Sequence, residues 1–269
     1  EYAAGLPIID YHSHLDPKDL AEDRSFENIA QVWVLSDPYK HRAMRIGGVP
    51  ERFITGATTE REKFERWAAT CPQTMGNSLF HWSALELKRY FGISELLSTE
   101  CAGDVWESCN GQLRSGGLTA RGLISRLNVE YLCTSDRLLD DLQAHARLAK
   151  SSFKTRVLPS LRADDVTAVE SPGYAEWLKQ LSSATGIEID SYDSFRSAIV
   201  ERLDFFQGMG CKLSDHALDD FIYVSGSESE IAPLFEKRLR AADLSPSEIV
   251  RLKSGICRFM GCEYGRRKW

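Results

Sequence analysis

The densest group of chemistry-bearing side chains lies near the start of the chain, in Asp10-Tyr11-His12-Ser13-His14, with Asp16 just beyond. In an extended segment residues i and i+2 point to the same side, so His12 and His14 can converge on one point. Two converging imidazoles suit a divalent metal such as zinc, and Asp10 and Asp16 are placed to orient the rings. Two ligands do not complete a site, so a third protein ligand is required. Three later apolar segments also end in polar groups: Thr134-Ser135-Asp136-Arg137, Ser160-Leu161-Arg162 and Ser214-Asp215-His216. Arg162 can clamp a carboxylate through paired hydrogen bonds. Asp215 or His216 can move a proton or fix a hydroxyl, and strand alternation lets only one of them face inward. Each also has an ordinary alternative: a surface ion pair for Arg162, a helix N-cap for Asp215, a satisfied polar residue for His216. Recurrence at successive strand ends is what favours the functional reading. The remaining histidines read as structural: His81 as helix packing, His145 as a surface residue, His41 as part of a polar helix start.

Four short apolar segments must position these groups: Leu6–His12, Val129–Thr134, Thr155–Ser160 and Gly210–Ser214. Each is brief and ends in polar residues, as a buried parallel strand does. Between them run helical patterns, over Leu138–Lys150, Tyr174–Leu181 and Phe195–Phe206, with more in the stretch between the first two strands. That stretch exceeds a hundred residues, with amphipathic runs at Phe26–Leu35, Glu60–Ala69, Leu79–Tyr90 and Asp104–Leu113. Strands alternating with helices predict an α/β architecture with a parallel sheet. The chain divides on this reading into residues 1–16 (strand one and the metal-motif loop), 17–128 (a helical insertion over a barrel mouth) and 129–269 (strands two to four with their helices). Ser245, Pro246 and Glu248 begin the last helix as N-cap, N1 and N3. Four strands cannot close a barrel of eight, so residues beyond Trp269 are expected to complete it.

Composition narrows the function. Net charge is −6 over 269 residues with both signs interspersed, which leaves no basic face for nucleic acid. The run Arg266-Arg267-Lys268 suits a helix C-terminus instead. Seven cysteines without a CxxC pair argue against a disulfide scaffold and for a reducing, cytoplasmic compartment. Cys133 and Cys211 read as small core residues. There is no apolar run long enough for a membrane span, no glycine-rich phosphate loop and no GxSxG elbow.

Taken together, Asp10–Leu15, Asp37-Pro38-Tyr39-Lys40-His41-Arg42-Ala43-Met44-Arg45, His81-Trp82 with Leu85-Glu86-Leu87, Val157–Ser160 with Arg162, Gly210–Leu218 and Glu263–Arg267 resemble the uronate (glucuronate) isomerases of the amidohydrolase superfamily. The resemblance runs in order along essentially the whole chain. It implies a distorted (β/α)8 TIM-type barrel, of which this chain supplies about the first four strands, with a large helical insertion after strand one. It implies interconversion of D-glucuronate with D-fructuronate and of D-galacturonate with D-tagaturonate, by proton transfer between C2 and C1. It makes His12 and His14 metal ligands, brings Tyr39 to the substrate, and assigns Arg162, Asp215 and His216 to substrate binding, with Tyr39 and Asp215 catalytic. The implied partner is a small hexuronate, with neither nucleic acid nor membrane, and a homo-oligomer is admitted. Pro38, Arg137 and Ala84 depart from the family pattern, which usually has histidine, aspartate and histidine there. Two alternatives stand beside this reading: a metal-dependent hydrolase of the same superfamily, and a non-catalytic truncated homologue.

Overall fold

The structure is a computed structural model that describes residues 2–217 and 222–269. It comprises two units: one is Glu22–Asn128, and the other joins the residues up to Ala21 with Val129–Trp269. The second unit opens with strand β1 (Ile8–Asp10), followed by helix α1 (Pro17–Glu22) at the boundary.

The unit Glu22–Asn128 holds α2 (Ile29–Trp33), α3 (Pro38–Ile46), α4 (Glu60–Thr70), α5 (Ser78–Phe91), α6 (Ala102–Arg114) and α7 (Ala120–Ser125). It contains no strand among the described residues. Its core gathers Ile29, Met44, Phe64, Trp67, Leu87 and Cys109, all fully buried. Caps written in the sequence set the helix starts. Asn28 accepts from the Ala30 and Gln31 amides, and Thr59 forms a capping box with Glu62. The Asn28 cap shortens the expected Phe26–Leu35 helix to Ile29–Trp33. In α5 the buried positions Leu79, Ser83, Leu87 and Phe91 recur every four residues. His81 falls off that stripe and is exposed, which corrects its expected packing role. His41 is buried on the inner face of α3, with Nε2 2.5 Å from the Val34 carbonyl.

The second unit continues with β2 (Val129–Arg137), α8 (Gln143–Ala149), β3 (Arg156–Arg162), α9 (Asp164–Thr167), α10 (Tyr174–Thr185), α11 (Tyr192–Gly208), β4 (Ser214–Asp215), α12 (Glu228–Leu239) and α13 (Pro246–Arg267). The four strands form one sheet in the order β1-β2-β3-β4, every pairing parallel. Sequential order without reversal is the order of a barrel wall; a doubly wound sheet reverses at a switch point. The expected α/β parallel architecture is therefore present as a four-stranded half-barrel. Its helices pack a core around Leu161, Phe195, Phe206, Phe235, Leu252 and Met260. The rings of Phe195 and Phe235 lie 4.6 Å apart.

Two element boundaries differ from expectation for visible reasons. Gly210 has φ +92°, and the Gly210 and Cys211 amides close the C-terminus of α11 on the Gln207 and Phe206 carbonyls. Residues 210–211 thus serve a helix cap, and β4 begins only at Ser214. Likewise, the expected helix from Leu138 starts at Gln143, because Leu142 adopts φ 53°. The buried Arg202 guanidinium pins the loop ahead of it, donating to the Leu138 carbonyl at 2.8 Å and the Asp140 carbonyl at 2.7 Å.

Close packing of α12 against α13 depends on one residue. A β-carbon at Gly255 would lie 2.7–2.8 Å from three Ile231 carbons. Gly255→Ala is therefore expected to destabilise the fold by about 1–3 kcal/mol, despite alanine's better helix propensity. Urea unfolding checks this, and an unchanged or raised midpoint would show that Ile231 yields freely. The last helix begins as read, with a Ser245/Glu248 capping box and Pro246 at N1, and it ends in Arg266 and Arg267 with Lys268 as C-cap. Among the described residues no helix is long and apolar enough to cross a membrane.

Candidate functional site

A parallel sheet brings the C-terminal ends of all its strands to one edge, and the chemistry-bearing residues of this unit collect there. The ladder reaches further than the apolar segments suggested. Asp136 pairs with Leu161, Arg137 with Arg162, and Arg162 with Asp215. These polar residues thus sit inside the strands, which fixes their directions as a loop would not.

His12 and His14 follow β1 directly and are both exposed. Their ring centroids lie 4.9 Å apart, edge to face. Between them the Ser13 amide donates to the Cys133 carbonyl of β2 at 2.8 Å, tying this short loop to the sheet. The pair fits a divalent metal in donor type and would supply two ligands of one ion. Among the described residues no group of three or more His, Cys, Asp or Glu side chains assembles around an ion position. The expectation that Asp10 and Asp16 orient the rings is not met. Asp10 accepts the His12 backbone amide at 3.3 Å, and Asp16 accepts the Lys18 amide at 2.8 Å at the start of α1.

Arg162 and Asp215, on adjacent strands, come together with a residue that the sequence reading passed over. The Arg162 Nε–H donates to Asp164 Oδ2 at 2.7 Å, and its terminal NH1 lies 3.6 Å from Asp215 Oδ2. Burial alone would raise the Asp164 carboxyl, but the Ala217 amide and the Arg162 guanidinium hold it below the ordinary carboxylate range. Asp215 Oδ1 is buried and has no hydrogen-bond partner among the described residues. Asp215 turns Oδ2 to Arg162, while His216, just past the end of β4, places Nε2 2.9 Å from the Tyr264 hydroxyl. Burial pushes the His216 imidazole down despite Asp164 and Asp215 nearby, so it is neutral near pH 7. Its Nδ1 has no partner among the described residues. Of the run quoted at this strand, Leu218 lies outside the described residues.

Behind the strand ends lies a buried polar cluster. Thr134 Oγ1 donates to Asp136 Oδ2 at 2.7 Å and lies 2.8 Å from His145 Nε2. His145 is 2% exposed, which corrects its expected surface position. Ala144, His145 and Leu148 form the inner face of the short helix α8. Burial pushes the Asp136 carboxyl up to about 6 and the His145 imidazole down to about 4. The two groups therefore pull stability in opposite directions. The raised Asp136 favours the fold below its ordinary value of 3.8 and loses that contribution as pH climbs through about 6. The lowered His145 favours the fold above 6.5 and loses its contribution as pH falls through about 4. In wild type the slopes largely cancel between these limits. Asp136→Asn keeps an acceptor for Thr134 and removes one slope, so acidification from pH 6.5 to 4 should destabilise the variant more steeply than wild type. Thermal unfolding across that range checks it, and parallel profiles would refute the assignment.

In the helical unit, Tyr39 is 58% exposed at the start of α3. Asp37 caps that helix, accepting the Tyr39 and Lys40 amides at 2.8 and 3.2 Å. Lys40 is buried over the rings of Trp33 and Trp67 and paired with Asp37 at 2.8 Å. Pro38 occupies the first helical position, where its missing N–H costs nothing. A cavity of about 320 Å³ lies on α11–α13, lined in part by Arg196, Arg258 and Arg266. None of the strand-end residues lines it, and Arg196 and Arg266 are already paired with carboxylates.

Known proteins share this fold. The fold matches a crystal structure of uronate isomerase from Thermotoga maritima with a TM-score of 0.94 at 30% identity, covering 99% of this chain and 58% of that one. A glucuronate isomerase structure from Caulobacter crescentus gives 0.90 at 23% identity and supports the fold alone, covering 97% of this chain and 56% of that one. The uronate isomerase of Bacillus licheniformis is 43% identical over 269 residues, covering 100% of this chain and 57% of that relative. That of Lachnospira eligens is 43% identical over 270 residues, covering 100% of this chain and 58% of the relative. The chain thus spans less than two thirds of the length of these relatives. The sequence model of glucuronate isomerases matches residues 1–269, so the residues that meet at these strand ends do so in a chain that belongs to the glucuronate isomerase family.

Proposed function

We propose that the protein interconverts aldose and ketose hexuronates, D-glucuronate with D-fructuronate and D-galacturonate with D-tagaturonate, at the C-terminal edge of the β1–β4 sheet. The observation that carries the proposal is the Arg162–Asp215 pair on adjacent strand ends, in a unit where paired imidazoles close the first strand. A uronate brings a carboxylate to be held and a C2 proton to be moved. Arg162 has its Nε committed to Asp164 and its NH1 beside Asp215 Oδ2 at 3.6 Å, and its terminal nitrogens are the groups to bind the substrate carboxylate. Asp215 is the carboxylate to take the proton from C2 and return it at C1, while the C2 hydroxyl proton passes to the C1 oxygen. His216, with Nε2 engaged by Tyr264, offers Nδ1 to a sugar hydroxyl. The family resemblance assigns Tyr39, in the segment 17–128, to substrate binding and catalysis. His12 and His14 would hold a divalent cation, probed first as zinc, which when bound stabilises the developing oxyanion and offsets the surrounding carboxylates.

The reading places the enzyme in the cytoplasm, acting on a free sugar acid without nucleic acid or membrane partners, and it admits a homo-oligomer. A metal-dependent hydrolase would call on a lysine near the fourth strand as a further metal ligand; Lys212 is exposed and lies ahead of β4. Incubation with D-glucuronate and with a panel of amides and esters separates the two. The proposal requires ketose formation without hydrolysis, and hydrolysis without ketose would replace it.

A further inference from the structure

Asp164 uses its two carboxylate oxygens on two different strand ends. It stands just beyond β3 as the first residue of α9, a helix too short to bind anything by its own terminus. Oδ2 accepts the Nε–H of Arg162 at 2.7 Å, and Oδ1 accepts the backbone amide of Ala217, just past β4, at 2.7 Å. An arginine side chain has several rotatable bonds, and Arg162 is a third exposed, so without a partner its guanidinium would sample many directions. A short charge-assisted bond at Nε removes most of that freedom and leaves the plane of the guanidinium set by the carboxylate. The same carboxylate fixes the backbone after Asp215 and His216, so the cation and the proton-handling strand end share one anchor.

We propose that Asp164 is a positioning residue for recognition of the substrate carboxylate, clamping the Nε edge of Arg162 so that the terminal nitrogens are presented in a fixed direction beside Asp215. This rests on the hexuronate reading above. The clamp nevertheless has a signature of its own, because an Nε–H held by a carboxylate exchanges slowly with water and gives a shifted proton resonance.

The test uses the full protein, labelled with ¹⁵N-arginine, as wild type, Asp164→Asn and Asp164→Glu. In wild type the Arg162 Nε–H signal, assigned by its loss in Arg162→Lys, should be protected. In Asp164→Asn the amide still accepts from Ala217 but loses its charge toward Arg162. The protection should vanish, and KM for D-glucuronate should rise about tenfold with kcat reduced by less than about threefold. Asp164→Glu restores the carboxylate and should recover part of the affinity. An unprotected Nε–H in wild type overturns the clamp even if every variant misfolds. So does a KM for Asp164→Asn within about twofold of wild type. If wild type forms no ketose at all, the functional reading fails, and the Nε–H comparison still decides whether Asp164 holds Arg162.

Discussion

His12→Ala is expected to abolish metal binding and hexuronate isomerisation together. Among the described residues the His12 and His14 rings make no hydrogen bond, and both are exposed, so no structural role holds the imidazoles in place. Removing one of the two paired imidazoles takes away one of the few protein ligands of the ion, and a site reduced in this way does not retain a divalent cation against solvent. A bound cation contributes several kcal/mol of oxyanion stabilisation, so the loss in kcat/KM should reach about 10³-fold or more. Because the site is exposed, the fold should survive with a stability change within about 0.5 kcal/mol. Metal analysis of the purified variant, beside ketose formation and thermal unfolding, reads all three quantities. Retained metal stoichiometry would remove the β1 histidines from the site.

Arg162→Met carries the second large effect. A carboxylate held by a guanidinium through paired bonds loses about 2–4 kcal/mol when that partner goes, corresponding to about 30- to 10³-fold in kcat/KM. Arg162→Lys should recover little of it, because an ammonium can reach neither the Asp164 geometry nor the paired contact. Steady-state rates on D-glucuronate decide the matter. Full activity in the lysine variant would mean that Arg162 acts only as a diffuse positive charge.

Much of this arrangement was legible in the sequence, and the failures share a physical cause. The first three strands were found because each contains a short apolar run ended by polar residues, the fourth was placed a few residues early, and the parallel sheet followed from their alternation with helices. The Ser245 N-cap and the burial of Cys133 and Cys211 were legible for similarly local reasons. What local pattern could not supply was which groups meet across strands. Asp164 was passed over because nothing local sets it apart, and only the structure shows it gripping Arg162 and Ala217 at once. Tyr264 stood in a helix far along the chain, with nothing to announce its contact with His216. His145 was misplaced because a seven-residue helix gives too few turns for its buried face to be read. Gly210 looked like the start of a strand because apolar residues follow it, whereas its positive φ serves the end of the preceding helix.

The most direct measurement is the conversion of D-glucuronate by the zinc-loaded protein in D₂O, followed by proton NMR at C1 and C2. The account predicts a ketose product, with loss of the C2 proton and appearance of a C1 methylene that carries either the transferred proton or deuterium taken up from solvent. No ketose from either D-glucuronate or D-galacturonate, with zinc bound at His12 and His14, would contradict it.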